Sequence, residues 1–141
     1  MDDDVILNEV ATRVVPMIHV FGIYIIVHGH LSPGGGFAGG TVIGIGMVLF
    51  VLVFGIRAAR RLIPEDTLIA LTTLGPLWYA GTGLVGMALG HQFLANANAG
   101  LPLGNPGALL SGGLIPVITL GVGASVALTV AVLFLVIVEE D

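Results

Sequence analysis

Charged residues are absent from four long stretches of this chain, 14–27, 37–56, 68–89 and 114–138, and gather between them and at the two ends. A helix rises about 1.5 Å per residue and the hydrocarbon layer is about 30 Å thick, so roughly 20 apolar residues cross it. Three of the stretches reach that length directly. The first does so by taking in flanking residues from Asn8 to Gly29, which sets Glu9 and Arg13 near one membrane face. Those two stand i, i+4 in the favourable order, so they can pair, and the arginine stem can carry its charge to the interface. The pattern predicts an all-α integral membrane protein with four transmembrane helices, at about 8–29, 37–56, 67–90 and 112–138, in a single domain over residues 1–141.

The residues between the runs set orientation. Arg57, Arg60 and Arg61 lie between the second and third spans, and short arginine-rich loops stay in the cytoplasm. Both termini and this loop are therefore predicted to be cytoplasmic, with the Gly-rich segment after the first span and the Gly/Asn/Pro-rich segment 91–107 outside. Pro64 suits a first helical position, and Glu65 and Asp66 suit the positive end of the helix that follows. Pro16, Pro76 and Pro116 fall in apolar runs, where each freed carbonyl needs another partner. Thr72 and Thr73 stand four and three residues before Pro76 and offer hydroxyls; Pro116, after the small residues 111–113, also suits a helix start.

Composition narrows the classes further. Apolar residues make up 56% and charged residues 9%, and the net charge of −5 sits mostly at the termini, which leaves no basic surface for nucleic acid. With no cysteine, disulfides are excluded. A signal peptide does not fit, because the chain starts with Asp2, Asp3 and Asp4 and no small-residue cleavage site follows the first apolar run.

The segment Gly29-His30-Leu31-Ser32-Pro33-Gly34-Gly35-Gly36-Phe37-Ala38-Gly39-Gly40 joins the first two spans. Its Gly34-x-Gly36-x-x-Gly39 spacing formally fits a dinucleotide fingerprint, but no preceding strand, amphipathic helix or following acidic residue supports that. A phosphate-binding loop is excluded because Gly40 stands where that motif needs lysine. What the glycines suit is backbone turning and close helix packing. Gly36, Gly40 and Gly44 recur at four-residue spacing, as do Gly86 and Gly90. These faces read as helix contacts, with a neighbouring span or another subunit as partner, and the expectation is that other subunits cover them. Phe37 is expected to fill a gap between helices, and Trp78 and Tyr79 to pack within the third span.

This block closely resembles the signature of the B subunit, MnhB or MrpB, of the multisubunit Na+/H+ antiporters, a module also found in archaeal membrane-bound hydrogenases and sulfur-reducing complexes. The resemblance covers roughly residues 21–46 and carries His30, Pro33, Gly34, Gly35, Gly36, Phe37, Gly39 and Gly40 onto the family motif. Elsewhere it lies in length and four-span layout. It implies an accessory, non-catalytic subunit of a cation/proton antiporter complex in a prokaryotic cell membrane. Its partners would be the other membrane subunits, and Na+ and H+ the transported ions. Such a complex could stand alone or belong to a hydrogenase-like or sulfur-reductase-like respiratory assembly.

The residues themselves offer little ion chemistry. Ion paths in membranes use Asp, Glu, Lys or His facing a partner or water, and His19 is the one such group deep in a span. Thr12, Pro16 and His19 share a helical face, so Thr12 and His19 are candidates for lining a path; a neutral, hydrogen-bonded His19 is the alternative. His28, His30 and His91 fall near the outer face, but His28 and His30 are two apart, point differently on a helix and have no carboxylate nearby. No metal or other cofactor is expected. Two other classes remain open, a self-contained homo-oligomeric transporter and a purely structural assembly subunit.

Overall fold

The computed structural model describes residues 2–96, 104, 105, 107, 108 and 111–139. Its helices are α1 Asp2–Val27, α2 Gly35–Phe54, α3 Ile56–Leu62, α4 Glu65–Ala88 and α5 Ile115–Glu139, and no strand occurs among the described residues. Four are long and apolar enough to cross a membrane, over Val5–Val27, Gly35–Phe54, Asp66–Ala88 and Ile115–Val138. Residues 97–103, 106, 109 and 110 of the segment between α4 and α5 lie outside the described residues, as do Glu140 and Asp141.

The ends of the helices follow from backbone chemistry. Gly55, at φ 84°, donates its N–H to the Val51 carbonyl and stops α2. The chain then re-enters a helix, α3, of seven residues, too short to register in a hydropathy pattern built for spans. Pro64 stands just before α4 rather than inside it, and its carbonyl accepts from the Leu68 N–H at 3.0 Å. Pro116 is the second residue of α5, so it marks a start, whereas Pro16 and Pro76 lie within α1 and α4. The threonine hydroxyls do not relieve Pro76. Thr72 donates to Leu68 O at 2.8 Å and Thr73 to Ile69 O at 3.0 Å, because helical side chains lean toward the N-terminus, away from the carbonyls that the proline frees.

α2 and α5 form the centre. α1 packs on α2, α4 packs on α5, and α1 touches α5 lightly. The interior is made of small and aliphatic residues such as Ala11, Ile26, Val51, Ala127 and Ala131, with no buried charged or polar residue among those described. Within the most apolar part of each span 17–28% of residues are buried in the chain, and α1 and α4 in particular turn large apolar side chains outward. α4 is held by two devices: Gly75 lies against Ser125, and the Trp78 indole N–H donates to the Val117 carbonyl at 3.0 Å.

Trp78→Phe keeps a ring but removes that donor. It is expected to weaken α4 docking by about 0.6 kcal/mol, the average for an interhelical hydrogen bond in a bilayer. Thermal unfolding in detergent measures this, and an unchanged midpoint would mean that the bond contributes nothing.

Candidate functional site

The glycine-rich segment is a turn and a packing surface at once. After α1 the chain folds over His28, whose carbonyl accepts from the Leu31 and Ser32 N–H groups at 2.9 and 3.0 Å. Gly34 and Gly35 then take φ values of 146° and 60°, which side-chain-bearing residues rarely adopt. The turn is tight: a Cβ at Gly29 would stand 2.6 Å from the Gly35 Cα.

From there α2 presents glycine on two faces. On one, a Cβ at Gly36 would meet the Thr119 carbonyl oxygen at 2.5 Å, one at Gly40 would run into the Gly123 carbonyl, and one at Gly44 would meet Val130 Cβ at 2.7 Å. On the other, a Cβ at Gly39 would stand 2.8 Å from the Gly22 carbonyl oxygen in α1, and one at Gly46 would stand 3.1 Å from His19 Cε1. The Gly36/Gly40/Gly44 face is therefore covered by α5 of the same chain, a correction to the expectation that other subunits cover it. Gly86 faces the Gln92 carbonyl beyond its own helix, and Gly90, at φ 82°, lies past the end of α4 with no atom of the described residues within 4 Å of its Cβ position. Phe37 does not fill a gap within the chain; it projects outward, 70% exposed. Pro33 and Gly34 are exposed on the turn.

His30 ties this turn to the residues before α5. Its Nε2 donates to the Ala108 carbonyl at 3.2 Å, while its Nδ1 is buried with no hydrogen-bond partner among the described residues. Nearby, the Asn96 side-chain oxygen accepts from the Leu114 N–H at 2.7 Å and caps the approach to α5. His28 is engaged separately, with Nδ1 on the Tyr24 carbonyl at 3.0 Å and its ring 4.1 Å from the Tyr24 ring. His91 is exposed.

The path candidates are not brought together. The Thr12 hydroxyl is spent on the Asn8 carbonyl at 2.7 Å and is exposed. His19 is half-buried and its Nδ1 donates to the Val15 carbonyl at 2.7 Å. His19 also borders a cavity of about 250 Å³ near the arginine-loop end, together with Met47, Phe50 and Val51 of α2, Ala59 of α3 and Ala131 of α5. Thr12 is not part of that lining.

Sequence reading missed the complementary half of the seam. Gly123, Ala127 and Ala131 repeat every four residues along α5, the same signal that marked α2, and Gly22 supplies the contact in α1.

These features define a small multi-pass membrane protein closed by glycine-on-backbone packing around a central helix pair. Residues 6–132 match the family described as a domain related to the MnhB subunit of Na+/H+ antiporter. The chain belongs to that family. It is 35% identical over 104 residues to a putative antiporter subunit mnhB2 of Staphylococcus epidermidis, covering 72% of this chain and 73% of the relative. With the protein of the same name from Staphylococcus aureus strain Newman it shares 34% over 94 residues, 67% of this chain and 66% of that one. Among solved structures it resembles a chain of the membrane-bound sulfane sulfur reductase, an archaeal respiratory membrane complex, with a TM-score of 0.73 and 36% identity. That match covers 92% of this chain and 56% of the other, so this protein spans just over half of its structural relative.

Gly40→Val places a branched side chain against the Gly123 carbonyl. Overpacking of this kind costs about 1–3 kcal/mol, so the amount of folded subunit in membranes is expected to fall several-fold. Ala38→Ser, off the seam, is expected to leave it unchanged. Quantitative immunoblotting decides, and equal amounts of both variants would show that the seam does not hold the fold.

Proposed function

We propose that this chain is an accessory, non-catalytic subunit of a multisubunit Na+/H+ antiporter complex of the Mrp type, standing alone or built into a hydrogenase-like or sulfur-reductase-like respiratory assembly. Family membership supports the assignment. The observation that carries the accessory role is the chemistry of the spans: their central stretches hold no Asp, Glu, Lys or Arg, and the Glu9–Arg13 ion pair lies exposed near the start of α1. A cation exchanger needs ionisable groups within the membrane. Here the chain contributes shape, through a compact helix bundle with a large outward apolar surface, and other subunits supply the exchange machinery. The arginine loop supports an orientation with both termini in the cytoplasm.

The test is ion flux from the purified chain in liposomes beside the full complex, with subunits identified by mass spectrometry. The single chain is expected to give no more Na+/H+ exchange than empty vesicles. Robust exchange would overturn the accessory role in favour of a homo-oligomeric transporter.

A second reading, in which His19 passes protons, is favoured by its half-buried position on the edge of a cavity. On that reading His19→Ala in the assembled complex lowers exchange modestly and shifts its pH dependence while subunit content stays constant. Normal exchange across the pH range would remove it and leave His19 a neutral packing residue.

A further inference from the structure

Pro76 stands near the middle of the Asp66–Ala88 span, and Gly75 beside it packs on Ser125, near the middle of the Ile115–Val138 span. The turn at Pro76 is therefore at the centre of the bilayer. Proline has no N–H, so the Thr72 carbonyl loses its helical donor there. The hydroxyls within a turn of it are engaged elsewhere: Thr72 donates to Leu68 O at 2.8 Å, Thr73 to Ile69 O at 3.0 Å and, on the facing helix, Thr129 to Ser125 O at 2.8 Å. α5 is the span that α4 packs on. Thr72 is half-buried, while Thr73, Pro76 and Leu77 are exposed, so the freed oxygen lies at the edge of the α4–α5 contact. Pro16 does the same to the Thr12 carbonyl in α1, but beside the exposed Glu9–Arg13 pair near the end of a span.

We propose that the Thr72 carbonyl is the docking point for a hydrogen-bond donor on a transmembrane helix of another subunit, a hydroxyl or amide side chain set at mid-bilayer. The inference rests on the accessory-subunit reading and names one of its contacts. An acyl chain carries no donor, and the bilayer core holds no water to replace one. A trapped water needs about two to four polar partners, whereas the exposed neighbours of this turn, Ile69, Leu74 and Leu77, are aliphatic. A charged donor would bring its own cost at that depth, which a neutral hydroxyl or amide avoids. Aliphatic contact between helices gains little over contact with lipid, so the hydrogen bond supplies the register: it decides which turn of the partner meets Pro76.

The test uses the full complex with a photoreactive benzoylphenylalanine in place of Leu77, on the exposed side of the turn. Irradiation and peptide mapping are expected to join it to a span of another subunit that has Ser, Thr, Asn or Gln within one turn of the cross-linked residue. Replacing that donor by an apolar side chain of similar size should weaken retention of this chain by the complex about threefold, the average for one interhelical hydrogen bond. In a Pro76→Ala background the same replacement should have no effect, because position 76 then returns an N–H to the Thr72 carbonyl. A purely steric role would leave the threefold loss in place. Ser125→Ala, which removes a hydroxyl of the chain itself beside Gly75, should not change the response. The proposal is overturned by cross-links to lipid alone or to a second copy of this chain, by a partner span without such a donor, or by an equal loss with and without Pro76→Ala. A chain that purifies with no other subunit overturns the accessory-subunit reading and this proposal with it, whereas lipid-only cross-links in an intact complex overturn the proposal alone.

Discussion

The fold depends on close approach of backbones along α2. Lipid tails are as apolar as leucine, so burying an aliphatic side chain between two membrane helices gains little over leaving it in lipid. Association then has to come from dispersion at short range and from the few hydrogen bonds available. Removing side chains at Gly36, Gly40 and Gly44 brings α5 carbonyls to within a Cβ's distance of α2, and Gly39 does the same for the Gly22 carbonyl of α1, while Gly46 makes room for the Ile18 and His19 side chains. The central helix is thus gripped from two sides by the same device, and α4 hangs from α5 by Trp78 and Gly75. Losing the seam would cost the arrangement of every other element.

That constraint explains why the turn before α2 has the composition it has. To start packing at Gly36, its first turn, α2 must leave the hinge with its face already aimed at α5. Positive φ at Gly34 and Gly35 supplies that aim, and the fold-back of Gly29 on Gly35 keeps the connection short. His30 then clamps the hinge to the segment before α5 through Ala108, so the two central helices are joined at their ends as well as along their faces.

The four spans were legible because the length of a charge-free run is a property of the chain alone. The covering of the glycine face was not, because four-residue spacing defines a face and not its neighbour; only the matching repeat of Gly123, Ala127 and Ala131 on α5 identifies the partner. α3 escaped for its brevity, and its Gly55 start depends on a backbone angle. The polar stripe of Thr12 and His19 shared a helical face as expected, yet each side chain leans back onto the carbonyl four residues earlier. Periodicity places a side chain on a face; rotamer preference decides whether its polar atoms remain available to anything else.

The glycine faces being consumed inside the chain changes what its outer surface can offer to other subunits. A partner helix does not meet the Gly36/Gly40/Gly44 face there. It meets large side chains: Phe37 at the hinge, Met17, Phe21 and Tyr24 along α1, and Leu74, Leu77 and Leu84 along α4. Projections of this size need recesses on the other side, so complementarity across such an interface must be supplied by small residues or kinks in the partner. The shallow apolar hollow at the Pro16 turn, lined by Met17, Val20, Phe21 and Tyr24, is the one place among these where the chain offers a recess of its own. Proline within the first span thereby acts on shape: it has no N–H to offer the carbonyl four residues before it, and its ring forms part of that hollow.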